Sequence, residues 1–281
     1  CGPAYIFIIQ KYLEDFLNIF KYSEKNSIPI YFIGSGSNLL VSDKGIKGIV
    51  ISPKKSFRKL QFNKNKIFAE SGVMLGNLVR QSTKKNLTGL ESLVGVPGTL
   101  GGALVMNAGA FGGEISNFLK NVSLITSNGE LINRSADEII FSYRYSNFSE
   151  KEFILSANFE LTQESSDIIQ QKKEIANKGR KTNQPLRYRS AGSVFKNPKE
   201  KYPAGYLIDK VGLKGFRVGD AQISSHHANF FINHGNARAK DVIQLINIAK
   251  EKVLSKFNVN LELEIKLIGF SKKEYKRNEK K

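Results

Sequence analysis

Cysteine is nearly absent: Cys1 is the single one in 281 residues. An internal disulfide is excluded, and the usage fits a reducing compartment, the cytoplasm. No uninterrupted apolar run approaches the ~18 residues of a membrane span, and no signal-peptide pattern is visible. The chain opens Cys1-Gly-Pro-Ala rather than with methionine, which reads as a chain lacking its natural start. The phosphate loop G-x-x-x-x-G-K-[ST] is missing, and so is the G-x-S-x-G elbow of serine hydrolases. Histidine is scarce: His226, His227 and His234 fall within nine residues. Adjacent strand residues point to opposite faces, and neither H-E-x-x-H nor a cysteine ligand supports a metal. The expectation is structural histidines and no metal.

Acid is in short supply, with 25 Asp and Glu against 43 Lys and Arg and a net charge of +18. Such an excess raises the question of a polyanionic partner. Only ten of the basic residues are arginine, and the lysines scatter among Asn and Ile. Base-stacking aromatics set in a basic stripe are not evident. No specific nucleic-acid partner is expected, although the positive potential would attract anionic substrates.

What the chain does have is glycine in clusters. Gly89–Ser116, GLESLVGVPGTLGGALVMNAGAFGGEIS, holds eight of the 24 glycines. A flexible linker would be Ser-rich and polar, whereas here Leu90, Leu93, Val94, Val96, Leu100, Leu104, Val105 and Met106 interleave with the glycines. That composition makes a buried, tightly turned segment whose bared amides suit a diphosphate-bearing ligand. A second cluster, Gly34-Ser-Gly-Ser-Asn38, follows the apolar run Ile28–Ile33. It fails the G-x-G-x-x-G pattern, because Leu39 stands where glycine is needed and strand and turn follow instead of a helix.

Apolar spacing predicts a helix over 9–26, strands over 29–33 and 48–52, a hairpin over 57–70 and a helix over 72–85. Asn128-Gly129 between apolar arms predicts another hairpin. Phe153, Leu155, Ala157, Phe159 and Leu161 alternate as a strand with one buried face. Composition turns polar at Gln163, which places a connecting helix over 164–183 between domains 1–163 and 184–270. The second domain is expected to hold strands near 191–195 and 228–233. A helix over 237–256, capped by Asn236, and a last strand over 261–268 complete it, and 271–281 is a charged, disordered tail. The length of 281 suits two domains of about 100–200 residues each, or one large one.

Three places carry candidate chemistry. Phe141-Ser-Tyr143-Arg144-Tyr-Ser146 sets an arginine among aromatics, where it either stacks or awaits an anion in bidentate geometry. The residues leave both open. Ser190-Ala-Gly-Ser193-Val-Phe-Lys196-Asn197 presents a serine on a small-residue turn, either an ordinary loop or a proton donor beside cations. Glu264 lies on the polar face of the last predicted strand, where solvation is the default.

In order along the chain, IGSGSNLLVSDKGIKGIVI, GLESLVGVPGTLGGALVMNAGAFGGEI, FSYRYSNF, SAGSVFKNP, PAGYLIDKVGLKGFRVGDAQISSHHANFFIN and LELEIKLIG resemble the UDP-N-acetylenolpyruvoylglucosamine reductase (MurB) family. The short SAGSVFKNP-to-PAGYLID spacing resembles the form lacking an inserted tyrosine-bearing loop. The resemblance implies an α+β fold, with an FAD-binding unit of the vanillyl-alcohol-oxidase (PCMH) type followed by a smaller α+β substrate-binding domain. It implies non-covalent FAD, NADPH as hydride donor, and reduction of UDP-N-acetylglucosamine enolpyruvate to UDP-N-acetylmuramate in peptidoglycan precursor synthesis. Another FAD oxidoreductase of the same superfamily, acting on a small anionic substrate, is the alternative.

By resemblance, Gly34, Ser35, Gly36, Ser37 and Asn38, with Gly98, Thr99, Gly101 and Gly102, hold the FAD diphosphate. Asn107, Ala108, Gly109 and Ala110 approach the flavin. Arg144 and Glu264 match residues that stabilise charge on the substrate carboxylate, and Ser193 matches the residue that protonates the neighbouring carbon. Tyr143, Arg180, Lys196 and Asn197 are the candidate substrate-binding residues. No protein partner is implied. Two departures stand out: Cys1 where the family has glycine, preceded by a strand, and Arg189 where it has proline before Ser190.

Overall fold

Asn128-Gly129 turns the chain between the strands Leu119–Thr126 and Leu131–Ser135, as an Asn-Gly pair between apolar arms predicts. The structure, a computed structural model, describes residues 2–9, 12–199 and 202–275. That hairpin is one side of a five-stranded antiparallel sheet. Its order runs Leu131–Ser135, Leu119–Thr126, Glu152–Glu160, Lys66–Glu70, Leu60–Asn63. The last two strands form the expected second hairpin, turning at Lys64-Asn65.

Glu152–Glu160 lies in the middle of that sheet and is covered on both faces, not on the single face its alternation predicted. The pairing with Leu119–Thr126 shifts register between Ser123 and Leu124, leaving Leu155 as an extra residue. A bulge of this kind changes which face the following residues present. Phe153 therefore packs with Phe16, Phe20, Ile49 and Ile51 under the helix Leu13–Asn26. Ala157, Phe159 and Leu161 pack instead with Leu75, Leu78 and Val79 of the helix Leu75–Lys84 and with Leu100 and Leu104.

The first helix is shorter than its pattern suggested. It begins at Leu13, and Ala4–Ile8 is a strand. Tyr5-Ile-Phe-Ile8 alternates outward and half-buried positions, a strand signal in a segment to which the sequence reading assigned no element. This strand joins a three-stranded sheet in the order Ala4–Ile8, Ile46–Ile51, Ile30–Phe32.

By its internal contacts the chain divides into two units, and neither is continuous. One comprises 5–35 and 48–180, the other 1–4, 36–47 and 181–281. The division departs from the sequence expectation at three places, the first being residues 1–4, which belong with the C-terminal unit. The helix Ser166–Asn183 belongs up to Arg180 with the first, larger body, and the short segment 36–47 belongs with the C-terminal one.

In the second unit, a four-stranded antiparallel sheet runs in the order Arg189–Ser193, Phe230–Asn233, Ala221–Ile223, Arg217–Val218. The helix Ala239–Phe257 packs Leu245, Ile246, Ala249 and Val253 into its core. Asn236 does not cap that helix. Arg238 stands at the N-cap, and the Asp43 carboxylate accepts the Ala239 and Lys240 N–H groups at 3.0 and 3.3 Å. A carboxylate at a helix start satisfies orphan donors and meets the positive end of the helix dipole. No local sequence signal could point to a residue almost two hundred positions away.

The last strand is only Lys266–Ile268, parallel to Leu39–Val41. Upstream, the alternation serves burial without a ladder: Leu261 and Ile265 are buried, and Leu263 bridges to Phe195. The expected disordered tail begins instead with a helical turn, Lys272–Tyr275, whose Glu274 accepts from the Ser271 N–H and hydroxyl. Positions 276–281 lie outside the described residues.

Candidate active site

In the larger unit, Thr99 precedes the short helix Leu100–Val105. The Leu100 and Gly101 N–H groups donate to the Val73 and Ser71 carbonyls, and the Gly98 carbonyl accepts from Leu75. Those amides were expected to be free for a phosphate, and the backbone of Ser71–Leu75 takes them instead. Glycine here permits close approach. A methyl group at Gly34 would collide with Thr99 Oγ1, and one at Gly101 would lie 3.1 Å from Ser71 Cβ. The Thr99 and Ser71 hydroxyls are buried and have no hydrogen-bond partner among the described residues. Two orphaned hydroxyls beside glycine backbone are suited to the oxygens of a diphosphate. The residues present fit FAD.

Gly34 and Ser35 close the strand-to-loop passage in this unit, whereas Gly36, Ser37 and Asn38 belong to the other. Gly102 sits in the first turn of Leu100–Val105. Asn107 follows that helix, wholly buried at φ 41. Its Nδ2 donates to Glu114 Oε2 at 2.7 Å and to the Ser142 carbonyl at 3.1 Å, and its Oδ1 is buried without a partner among the described residues. The Ala108 N–H returns to Ala103, and Gly109–Ala110 pairs with Gly113–Glu114 in a tight hairpin.

Tyr143 and Arg144 form the two-residue turn between Phe141–Ser142 and Tyr145–Ser146. Arg144 takes φ 54, and its guanidinium lies 4.9 Å from the Tyr143 ring centroid and donates to the Gly109 carbonyl at 2.9 Å. So Arg144 stacks and also sits beside the Gly109–Ala110 segment. Arg180, 8% exposed, lies against the Phe111 ring at 5.7 Å. Burial, and then the Arg144 charge, push its pKa below the ordinary value.

In the C-terminal unit, Ser193 ends the strand Arg189–Ser193 and pairs with Phe230. The register slips between Ser190 and Ser193, with Gly192 at φ 82, so a bulge re-aims the serine. Asn229, which the sequence reading passed over, holds the next residue pair in place. Its amide accepts from the Phe195 N–H at 2.9 Å and donates to the Phe195 carbonyl at 2.8 Å. The Glu264 N–H donates to the Val194 carbonyl at 2.8 Å, bringing Glu264 and the Ser193 segment together. Asn38 fixes the same place, its Nδ2 donating to the Glu264 carbonyl at 3.0 Å. Lys196 pairs with Glu262 at 3.3 Å, and Asn197 Oδ1 accepts the Ala204 N–H at the start of the helix Ala204–Lys210.

The histidines hold structure. His226 and His227 lie in the loop after Ala221–Ile223 rather than on a strand. His226 Nε2 meets the Thr182 carbonyl at 2.7 Å, and His234 Nε2 meets Gln222 at 2.8 Å. Burial lowers the His227 pKa, and its Nδ1 accepts the Asn229 N–H. Among the described residues no three His, Cys, Asp or Glu side chains gather as a metal site. No described helix is long and apolar enough to cross a membrane.

Residues 4–135 match the model of the FAD binding domain, and 184–268 match the C-terminal domain of UDP-N-acetylenolpyruvoylglucosamine reductase. The chain is 42% identical over 269 residues to the reductase of that name from Clostridium novyi, covering 95% of this chain and 87% of the relative. The Clostridium tetani reductase is 43% identical over 273 residues, 96% of this chain and 88% of the relative. The crystal structure of the Thermus caldophilus reductase superposes with a TM-score of 0.80 at 33% identity, covering 93% of this chain and 91% of that one. The α+β fold, the FAD domain and these relatives agree. The chain belongs to the UDP-N-acetylenolpyruvoylglucosamine reductase family of FAD-binding oxidoreductases.

Proposed function

We propose that this enzyme reduces UDP-N-acetylglucosamine enolpyruvate to UDP-N-acetylmuramate with NADPH, a cytoplasmic step of peptidoglycan precursor synthesis. The observation that carries the reading is the Arg144 guanidinium, held 2.9 Å from the Gly109 carbonyl beside the segment expected to approach the flavin, a place for a small carboxylate. Bound FAD supplies the hydride, taken from NADPH, that converts the substrate methylene to a methyl group. Ser71, Thr99, Gly34 and Gly101 hold its diphosphate by hydroxyl donors and close backbone. As hydride arrives, negative charge develops on the substrate carboxylate. Arg144 meets it with a planar fork of N–H donors, and Glu264, protonated, adds a hydrogen bond. Donors aimed where charge develops often supply the largest catalytic effect.

The Ser193 hydroxyl then gives its proton to the carbon next to the carboxylate. A hydroxyl is a weak acid, so nearby cations must stabilise the alkoxide left behind. Lys196, Asn197 and Tyr143 serve substrate binding, with Asn197 and Lys196 directed to the diphosphate. The test is direct. Protein mixed with NADPH should lose its flavin absorbance at the long-wavelength band, and the enolpyruvyl sugar nucleotide should restore it with formation of the lactyl ether. Bleaching without recovery would overturn the substrate assignment.

A further inference from the structure

Glu114 entered none of the assignments above, yet it sits at the joint of the two hairpins that carry Arg144 and its backbone acceptor. We propose that Glu114, acting through Asn107, is a positioning residue for Arg144, an inference that rests on the carboxylate-binding role given to Arg144. Gly109 pairs directly with Glu114 across the hairpin Gly109–Ala110/Gly113–Glu114. A Cβ at Gly109 would stand 2.9 Å from Glu114 Cγ and 3.4 Å from Arg144 Nη1. The acid and the guanidinium thus close on the same glycine. Arg144 Nη2 is bound to the carbonyl of that residue at 2.9 Å.

Asn107 joins the two hairpins. Its single NH₂ group donates to Glu114 Oε2 at 2.7 Å and to Ser142 O at 3.1 Å. Ser142 is the last residue before the Tyr143-Arg144 turn. Hydrogen bonds to a carboxylate are shorter and stronger than neutral ones, so Glu114 is the firm end of this bridge. Without it, the wholly buried Asn107 NH₂ group keeps, among the described residues, only the Ser142 carbonyl. Asn107 at φ 41 and Arg144 at φ 54 both hold a left-handed conformation that costs free energy in a residue with a side chain. Such conformations persist when surrounding bonds over-determine them, and Glu114 supplies one of those bonds.

The prediction concerns rate more than binding. Glu114→Ala should keep its flavin and be reduced by NADPH at the wild-type rate. Its turnover of the enolpyruvyl sugar nucleotide should fall on the order of 10²-fold, the scale of a misplaced catalytic group. The loss should appear in kcat, with KM little changed. Glu114→Gln keeps an oxygen for the Asn107 N–H and should recover most of the rate. Amide hydrogen exchange, measured on the FAD-loaded protein, should quicken at Tyr145 and Ser146 in Glu114→Ala. A Glu114→Ala variant that loses flavin, or slows both half-reactions alike, would make Glu114 structural and end the proposal. Wild-type turnover with unchanged exchange would end it equally. A wild-type protein inert toward the sugar nucleotide would remove the functional reading instead, and the exchange at Tyr145 and Ser146 would still decide the positioning.

Discussion

Buried polar side chains are treated differently in the two units. In the unit containing 181–275, Ser224 Oγ accepts the His226 and His227 N–H groups, and Ser42 Oγ accepts from Lys44. The Asn229 amide is bonded at both its oxygen and its nitrogen. In the other unit, Ser71 Oγ, Thr99 Oγ1, Ser92 Oγ, Glu91 Oε1 and Asn107 Oδ1 are buried without a partner among the described residues. Each such group costs about 1–3 kcal/mol. A native fold keeps them where a ligand, a bound water or chemistry answers them. Among the described residues, one unit leaves no such atom in its interior, while the other leaves several where a cofactor can answer them.

If that contrast is right, damage in the C-terminal unit should leave the cofactor in place. Ser193→Ala is the strongest case. It should bind FAD and be reduced by NADPH at near wild-type rate, yet lose turnover by ~10²–10⁴-fold, the usual range for a general acid. Rapid-reaction absorbance of each half-reaction measures this, and a Ser193→Ala protein that purifies without flavin would break the comparison. Arg144→Lys should come next. Lysine keeps the charge but not the fork, so the barrier should rise by ~2.7–4 kcal/mol with substrate binding little altered. Steady-state kinetics with near-normal kcat would make Arg144 a stacking residue only.

Two smaller effects test the contrast from each side. Thr99→Val removes an orphaned hydroxyl and keeps the shape. Apoprotein melting should stay level or rise, and FAD affinity should weaken about tenfold, or ~1.4 kcal/mol. Titration of apoprotein with FAD reads this, and an unchanged Kd would assign Thr99 Oγ1 to packing. Asp43→Ala should do the reverse. Loss of the cap on Ala239–Phe257 should cost about 1 kcal/mol in denaturant unfolding while FAD affinity holds.

Much of this architecture can be read locally. Asn128-Gly129, the spacing of Leu75, Leu78 and Val79, and the glycine run through Gly89–Ser116 each announce themselves within a few residues. What cannot be read is anything settled by distant partners. The Gly98–Gly102 amides look free in sequence, but Ser71 and Val73 take two of the amides there. Asn236 looks like a cap until Asp43 arrives from elsewhere in the chain. The five alternating residues from Phe153 to Leu161 look like one face until a bulge divides them between two cores. The candidate site was legible through six spaced motifs, whereas Glu114 and Asn229 were not. Each does its work through a backbone or amide contact that has no signature in residue type.

The discontinuous units also constrain how the chain comes to be folded. The polypeptide passes between them four times, after residues 4, 35, 47 and 180. Leu39–Val41 finds its parallel partner only at Lys266–Ile268, and Asp43 finds its helix only at Ala239. During synthesis, segment 36–47 must therefore wait for almost all of the remaining chain before it can pair. Contacts so far apart in sequence close slowly, since loop closure precedes any gain from the pairing. A ribosome-bound chain ending near residue 260 should hold a protease-sensitive 36–47 segment even where the strands from Leu60 to Glu160 already resist cleavage.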